Sequence, residues 1–147
     1  MGSKDSCHLR AIGPEETLAV ACAGAPLVLL LFGTACCAPC QTLKIKTERW
    51  LEERGGGRDN IPLDAIYIPL EKNPKLAAQA GILSAPTLRL YAEGKLWAED
   101  SGYFSLEVFL ERAELIESRL HESLLSRYSP LQSPSQCDLS HASHVVY

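Results

Sequence analysis

Residues Leu27 to Phe32 read LVLLLF, an apolar run with no polar position among its members. A run without alternation predicts a strand covered on both faces, as in a parallel sheet packed between helices. Ahead of it, Gly13-Pro14-Glu15-Glu16 places a proline early and acids in a first turn. That predicts a helix reaching about Ala23 and stopped by Gly24 and Pro26. Behind it, Leu43, Lys46, Trp50 and Leu51 recur at helical spacing, and Gly55-Gly56-Gly57 predicts the end of that helix. Ala65 to Ile68 predicts a second strand, which Pro69 closes because a proline within it would remove a ladder bond. Asn73-Pro74 opens a further helix and Gly81 stops it. Thr87 to Tyr91 and Lys95 to Ala98 predict a hairpin turning at Glu93-Gly94. Ser105 then caps a long amphipathic helix whose apolar side carries Leu106, Phe109, Leu110, Ala113, Ile116, Leu120 and Leu124.

Helix, strand, helix, strand, helix, hairpin and closing helix in that order predict an α/β layered domain, with parallel strands first and an antiparallel hairpin added. The 147 residues suffice for one domain with a real core, and 46% hydrophobic with 22% charged residues is ordinary for a soluble globular chain. We read residues 1–11 as an N-terminal arm, 12–127 as the domain and 128–147 as a disordered or loosely attached tail. The tail, SPLQSPSQCDLSHASHVVY after Tyr128, is rich in serine, proline and glutamine and has no helical or strand period. Cys137, His141 and His144 would share a helical face, but this composition supports solvated residues rather than a fixed site. Trp50 and Trp97 read as packing residues, as does Cys22 on the first helix.

Charge narrows the partners. A formal net charge of −4 leaves no basic footprint for nucleic acid. The stretch from Thr17 to Gln41 is uncharged and long enough to raise the question of export or membrane insertion. Glu15 and Glu16 stand where a secretory signal wants positive charge, and Gly24-Ala25-Pro26 divides the stretch, so no membrane association is expected. MGSKDS fits the short N-myristoylation pattern through Gly2 and Ser6, and is read as a chance match.

The chemistry lies in GTACCAPCQ. The six cysteines (7, 22, 36, 37, 40 and 137) are too few for a disulfide-built scaffold, and three of them cluster here. Cys37-Ala38-Pro39-Cys40 falls between the buried strand and a helix. A cysteine opening a helix meets unpaired backbone N–H groups and the positive end of the dipole, which stabilise a thiolate and make it an attacking nucleophile. The second cysteine, one turn deeper, can attack the resulting mixed disulfide. A purely structural pair is the plainer alternative. Cys36, Cys37 and Cys40 offer three soft ligands where a closed zinc site takes four, so no metal is expected.

With these motifs joined, the chain resembles the thioredoxin superfamily over roughly residues 12–118. LVLLLFGTACCAPCQTL matches its strand–CxxC–helix, NPKLAAQAGILSAPTLRLYAEGK its second half, and Ala85-Pro86-Thr87 its cis-proline segment. Gly102 and Ser105 fall where that family turns into its final helix. The resemblance implies a three-layer α/β fold with a mixed sheet of four to five strands flanked by helices. It implies a thiol–disulfide oxidoreductase without a cofactor, with Cys37 and Cys40 as the redox dithiol. Pro86 would be cis, and Ala85, Pro86 and Pro39 would form the groove for a substrate peptide. Protein disulfides would be the substrates, a reductase or small thiol the electron donor, and the cytoplasm the location. Three positions depart from the family: Cys36 replaces its tryptophan, Leu31 its buried aspartate and Tyr67 the neighbouring lysine. Without that acid, deprotonation of Cys40 falls to water or to the leaving group. Cys36 is open to three readings, as a packed small residue, an off-pathway disulfide partner or an accessory redox thiol. The departures also keep a second function in view, a redox-quiet binding or adaptor module on the same fold.

Overall fold

A computed structural model describes residues 8–54 and 60–127. The triple glycine after the second helix, Cys7, and the tail with Cys137, His141 and His144 lie outside the described residues. In chain order the elements are β1 (Arg10–Ala11), α1 (Leu18–Cys22), β2 (Leu27–Gly33), α2 (Ala38–Arg54), β3 (Leu63–Pro69), a 3-10 turn (Leu70–Lys72), α3 (Pro74–Ala80), β4 (Thr87–Ala92), β5 (Lys95–Ser101) and α4 (Leu106–Arg127). The strands form one five-stranded sheet in the order β1-β3-β2-β4-β5. β1, β3 and β2 run parallel, and β4 and β5 are antiparallel to their neighbours. This is the mixed α/β sheet that the sequence predicts.

β2 is central, and every one of its residues is buried. Alternate side chains explain why the run needs no polar positions. Leu27, Leu29 and Leu31 share one core with Leu63, Ala65, Leu88, Leu90, Leu51 of α2 and Phe109 and Ala113 of α4. Val28, Leu30 and Phe32 face the opposite core, with Ile66, Ile68, Ala21 and Cys22 of α1 and Leu76 and Ala80 of α3. α4 buries the predicted side: Leu106, Phe109, Leu110, Ala113 and Leu120 are in the core, with Ile116 and Leu124 packed against it. Ser105 Oγ accepts from the Val108 N–H and so caps that helix.

Four local expectations need correction. The first helix starts at Leu18 rather than Pro14, with Thr17 as N-cap accepting from Val20 N–H. The reason is Glu16, which accepts from the Gly13 N–H and pairs with Arg10 instead of entering a helical turn. Arg10 and Ala11, read as part of an arm, belong to the sheet because they pair with Ile66 and Tyr67. Arg10 is anchored there by a two-point contact, its Nε and Nη2 donating to the buried Asp64 carboxylate at 2.9 and 2.8 Å. On α2, Lys46 is exposed and the inward stripe runs through Cys40, Thr47 and Leu51. Trp97 on the edge strand β5 is 60% exposed, whereas Trp50 packs against the core as expected.

Candidate functional site

Cys37 and Cys40 are joined as a disulfide at the N-terminus of α2, with a Cα–Cα distance of 5.2 Å. β2 delivers the chain to this point and Gly33 ends it. Cys37 N–H donates to Thr34 O, and Cys37 O accepts from Gln41 N–H, so Cys37 stands at the N-cap of α2. Its Sγ accepts from the Cys40 N–H at 3.1 Å. Sulfur thus occupies the place that a serine or aspartate oxygen fills at ordinary helix starts. Once reduced, an anionic Cys37 sulfur keeps that donor and the helix dipole, both of which favour the thiolate. Cys37 is half-buried and Cys40 fully buried, so the first sulfur alone is open to attack from outside. Cys36 is a free, exposed thiol immediately before the pair.

The second half of the site comes from the loop before β4. The Ala85–Pro86 peptide bond is cis. Thr87 Oγ1 donates to Ser84 O at 2.7 Å, and Pro86 O accepts from the Gly102 N–H at 2.9 Å, which ties this turn to the end of β5. Ala85 is half-buried and Pro86 buried. Pro39 and Pro86 line one shallow depression of about 300 Å³ together with Leu43, Tyr103 and Phe104. Tyr103 is almost fully exposed at its rim. A larger depression of about 620 Å³, lined by Trp50, Glu114 and Glu117 among others, lies at the far end of α2. That end is roughly 18–20 Å from the cysteines at 1.5 Å per helical residue. Among the described residues there is no cluster of three or more metal-ligating side chains and no helix long and apolar enough to cross a membrane.

Behind the pair, Leu31 and Tyr67 are register partners on β2 and β3. Leu31 is fully buried. Tyr67 is half-buried, and its hydroxyl lies on the Gly33 side of Cys40: a Cβ placed on Gly33 would stand 2.9 Å from Tyr67 Oη and 3.1 Å from Cys40 Sγ. Gly33 is therefore the gap that these two groups flank, which is what a glycine at a strand end often marks. Burial pushes the Tyr67 hydroxyl above the ordinary phenol value and the negative charge of Glu71 adds to this, while hydrogen bonding with Gln41 offsets part of it. The Lys44 ammonium lies 4.5 Å from the centre of the Tyr67 ring. Glu71 also holds the loop ahead of the cysteines, accepting from the Ala35 N–H at 3.2 Å.

The candidate residues named from the sequence thus gather at two joined places, the pair itself and the Pro39–Pro86 depression. Sequence reasoning registered Tyr67 only as a departure and missed Gly33, Gln41, Lys44 and Glu71. Gly33 directly after an apolar run was the available signal. The others carry none, because α2 and the turn after β3 meet around Tyr67 only in the folded chain.

No protein-family model and no curated protein sequence matches the chain. Solved structures do. A mutant thioredoxin from Halobacterium salinarum superposes with a TM-score of 0.61 at 24% identity, over 78% of this chain and 92% of that one. Chloroplastic thioredoxin z gives 0.62 at 21% identity, over 76% and 96%. The short form of thioredoxin F from spinach chloroplast gives 0.60 at 21% identity, over 78% and 96%. At these identities the likeness speaks to architecture, and on that the sheet, the flanking helices and the cysteine pair agree: the chain has the thioredoxin fold.

Proposed function

We propose that this chain is a thiol–disulfide oxidoreductase that reduces protein disulfides through the Cys37/Cys40 dithiol. The observation that carries this reading is the Cys40 N–H aimed at Cys37 Sγ at 3.1 Å, at a helix start where the outer sulfur is reachable and the inner one is not. In the reduced protein the Cys37 thiolate attacks one sulfur of a substrate disulfide. A Cys37–substrate bond forms, the substrate S–S bond breaks, and the departing substrate thiolate takes a proton from solvent. Cys40 then gives its proton to water and attacks Cys37 Sγ. The Cys37–Cys40 bond forms, the mixed disulfide breaks, and the second substrate thiolate leaves.

The depression flanked by Pro39 and Pro86 suits an extended peptide, with the Ala85 backbone as an edge for strand-like pairing. A reductase or a small thiol would restore the dithiol, and a reducing cytoplasm is the compartment that fits such a cycle. Cys36, exposed beside the nucleophile, is the accessory thiol of this reading. The test is dithiol-dependent reduction of insulin disulfides by the native protein and by Cys37→Ser. Turnover by the native chain and its loss in the variant are expected. Native protein no faster than free dithiol would overturn the reading and leave the fold as a binding module, which the apolar Leu31 behind the pair would suit.

A further inference from the structure

Cys40 is fully buried, and the two sheet partners of Tyr67, Leu31 on β2 and Ala11 on β1, carry no group that could take a proton. We propose that the Tyr67 hydroxyl serves this step, donating a hydrogen bond to Cys40 Sγ as that sulfur becomes anionic. The inference rests on the oxidoreductase reading and adds the group that makes its second half feasible. The geometry is the gap at Gly33, where Tyr67 Oη and Cys40 Sγ approach the same point to 2.9 and 3.1 Å. Any side chain at position 33 would fill that gap, so the glycine keeps the hydroxyl and the sulfur mutually accessible.

The surroundings decide that the hydroxyl donates rather than accepts. Burial and the charge of Glu71 hold it protonated well past neutrality, so it is a donor wherever a thiol cycle operates. The charged groups facing it are Lys44 from α2, whose ammonium lies over the ring, and Glu71 from the turn after β3. Gln41 from α2 is neutral, and the β1 and β2 neighbours are apolar. Lys44 favours an anion nearby and Glu71 opposes one, so a directed donor has room to set the outcome. In the step itself the Cys40 S–H proton passes to solvent, the Tyr67 O–H points to the anionic sulfur, and that sulfur attacks Cys37 Sγ. Tyr67 keeps its own proton throughout.

The test is Tyr67→Phe, which removes one oxygen from a half-buried ring. In a reduced Cys37→Ser background, the titration of Cys40 is followed by the Cβ shift of carbon-13-labelled cysteine. A hydrogen bond to a charged group is worth enough that its loss should raise the Cys40 pKa by about one to two units. With Cys37 present, accumulated mixed disulfide should decay about tenfold or more slowly near neutral pH, the gap closing as pH rises, while alkylation of Cys37 stays unchanged. A Cys40 titration identical with and without the hydroxyl would overturn the proposal. A reciprocal measurement needs no change at position 67: in the reduced native chain Tyr67 should ionise at higher pH than in Cys40→Ala, because an anionic sulfur holds its proton. Equal Tyr67 titrations there would overturn it as well. Failure of the native chain to reduce insulin would instead strike the proposed function, and leave the Cys40–Tyr67 coupling to stand or fall on the two titrations.

Discussion

Gly33→Ala is the most direct probe of how tightly the site is built. Gly33 is the last residue of β2, paired with Pro69, and its backbone does not lie in the left-handed region, so alanine meets no conformational barrier there. Judged on the unfolded chain alone, replacing a strand glycine by alanine should stabilise by about 0.5–1 kcal/mol. The side chain it adds, however, would meet Tyr67 Oη at 2.9 Å and both Cβ and Sγ of Cys40 at 3.1 Å. Tyr67 is half-buried with Lys44 over its ring and can yield in part, whereas Cys40 is tied through its sulfur to Cys37 and buried in α2. Overpacking costs about 1–3 kcal/mol, so against the entropic gain the steric effect prevails over most of the range and a net loss of about 1 kcal/mol, at most about 2.5, is expected. Thermal unfolding of the oxidised protein by circular dichroism should fall by roughly 4–10 °C for a domain of this size. The double variant Gly33→Ala/Tyr67→Phe should recover part of that loss, since it removes the 2.9 Å contact and leaves the others. A Gly33→Ala protein melting at or above the native temperature would refute the reasoning, because Tyr67 and Cys40 would then have yielded at less cost than the entropy gained.

Two further outcomes follow from the cores and their titrating groups. Burial raises the Cys22 thiol and the Tyr91 hydroxyl above their ordinary values of 9.0 and 10.0, so the folded state holds both protons longer than the unfolded chain does. Their contribution is present in full below those ordinary values and is lost as pH rises through the raised ones, so urea midpoints should be level near neutrality and decline above about pH 9. Cys22→Ala should flatten the first part of that decline, and an unchanged slope would remove Cys22 from the explanation. Phe109→Ala should cost about 3–5 kcal/mol, a large share of the total stability of a domain, because Phe109 is fully buried between α4 and the sheet. A urea midpoint within error of the native one would mean that α4 is not needed to close that core.

The architecture was legible wherever one local signal decided an element. The unbroken LVLLLF run required cover on both faces, and the two cores packed on odd and even positions of β2 provide it. Asn73-Pro74 and Gly81 bracket α3 because proline fits a first helical turn and glycine accepts the left-handed φ of 72° at the cap. The misreadings arise where a distant partner outbids local propensity. Glu15 and Glu16 looked like first-turn acids, but Arg10 draws Glu16 into a network with Asp64, a residue 54 positions from the arginine. No window on the sequence holds that pairing, since it exists only once β1 lies beside β3.

The same limit applies to the site and explains its character. CAPC and APT are compact motifs, so both could be placed from the sequence, but the polarity around Cys40 is set by a register pair 36 residues apart, Leu31 and Tyr67. A carboxylate at position 31 would be surrounded by fully buried leucines on β2 and α2, where an ionised group without a partner costs several kcal/mol. Leucine avoids that cost and adds to the core. The remaining polar group stands one strand over, on a half-buried ring that touches Gln41 and Lys44 and feels the charge of Glu71. A phenol there can stay neutral through the cycle, so it requires no buried charge at rest and offers a donor only when the sulfur becomes anionic. In the proposed cycle a hydrogen-bond donor at the rim stands in for a buried base, and the signature of that proposal is a resolving step that depends on the Tyr67 hydroxyl rather than on a titrating carboxylate.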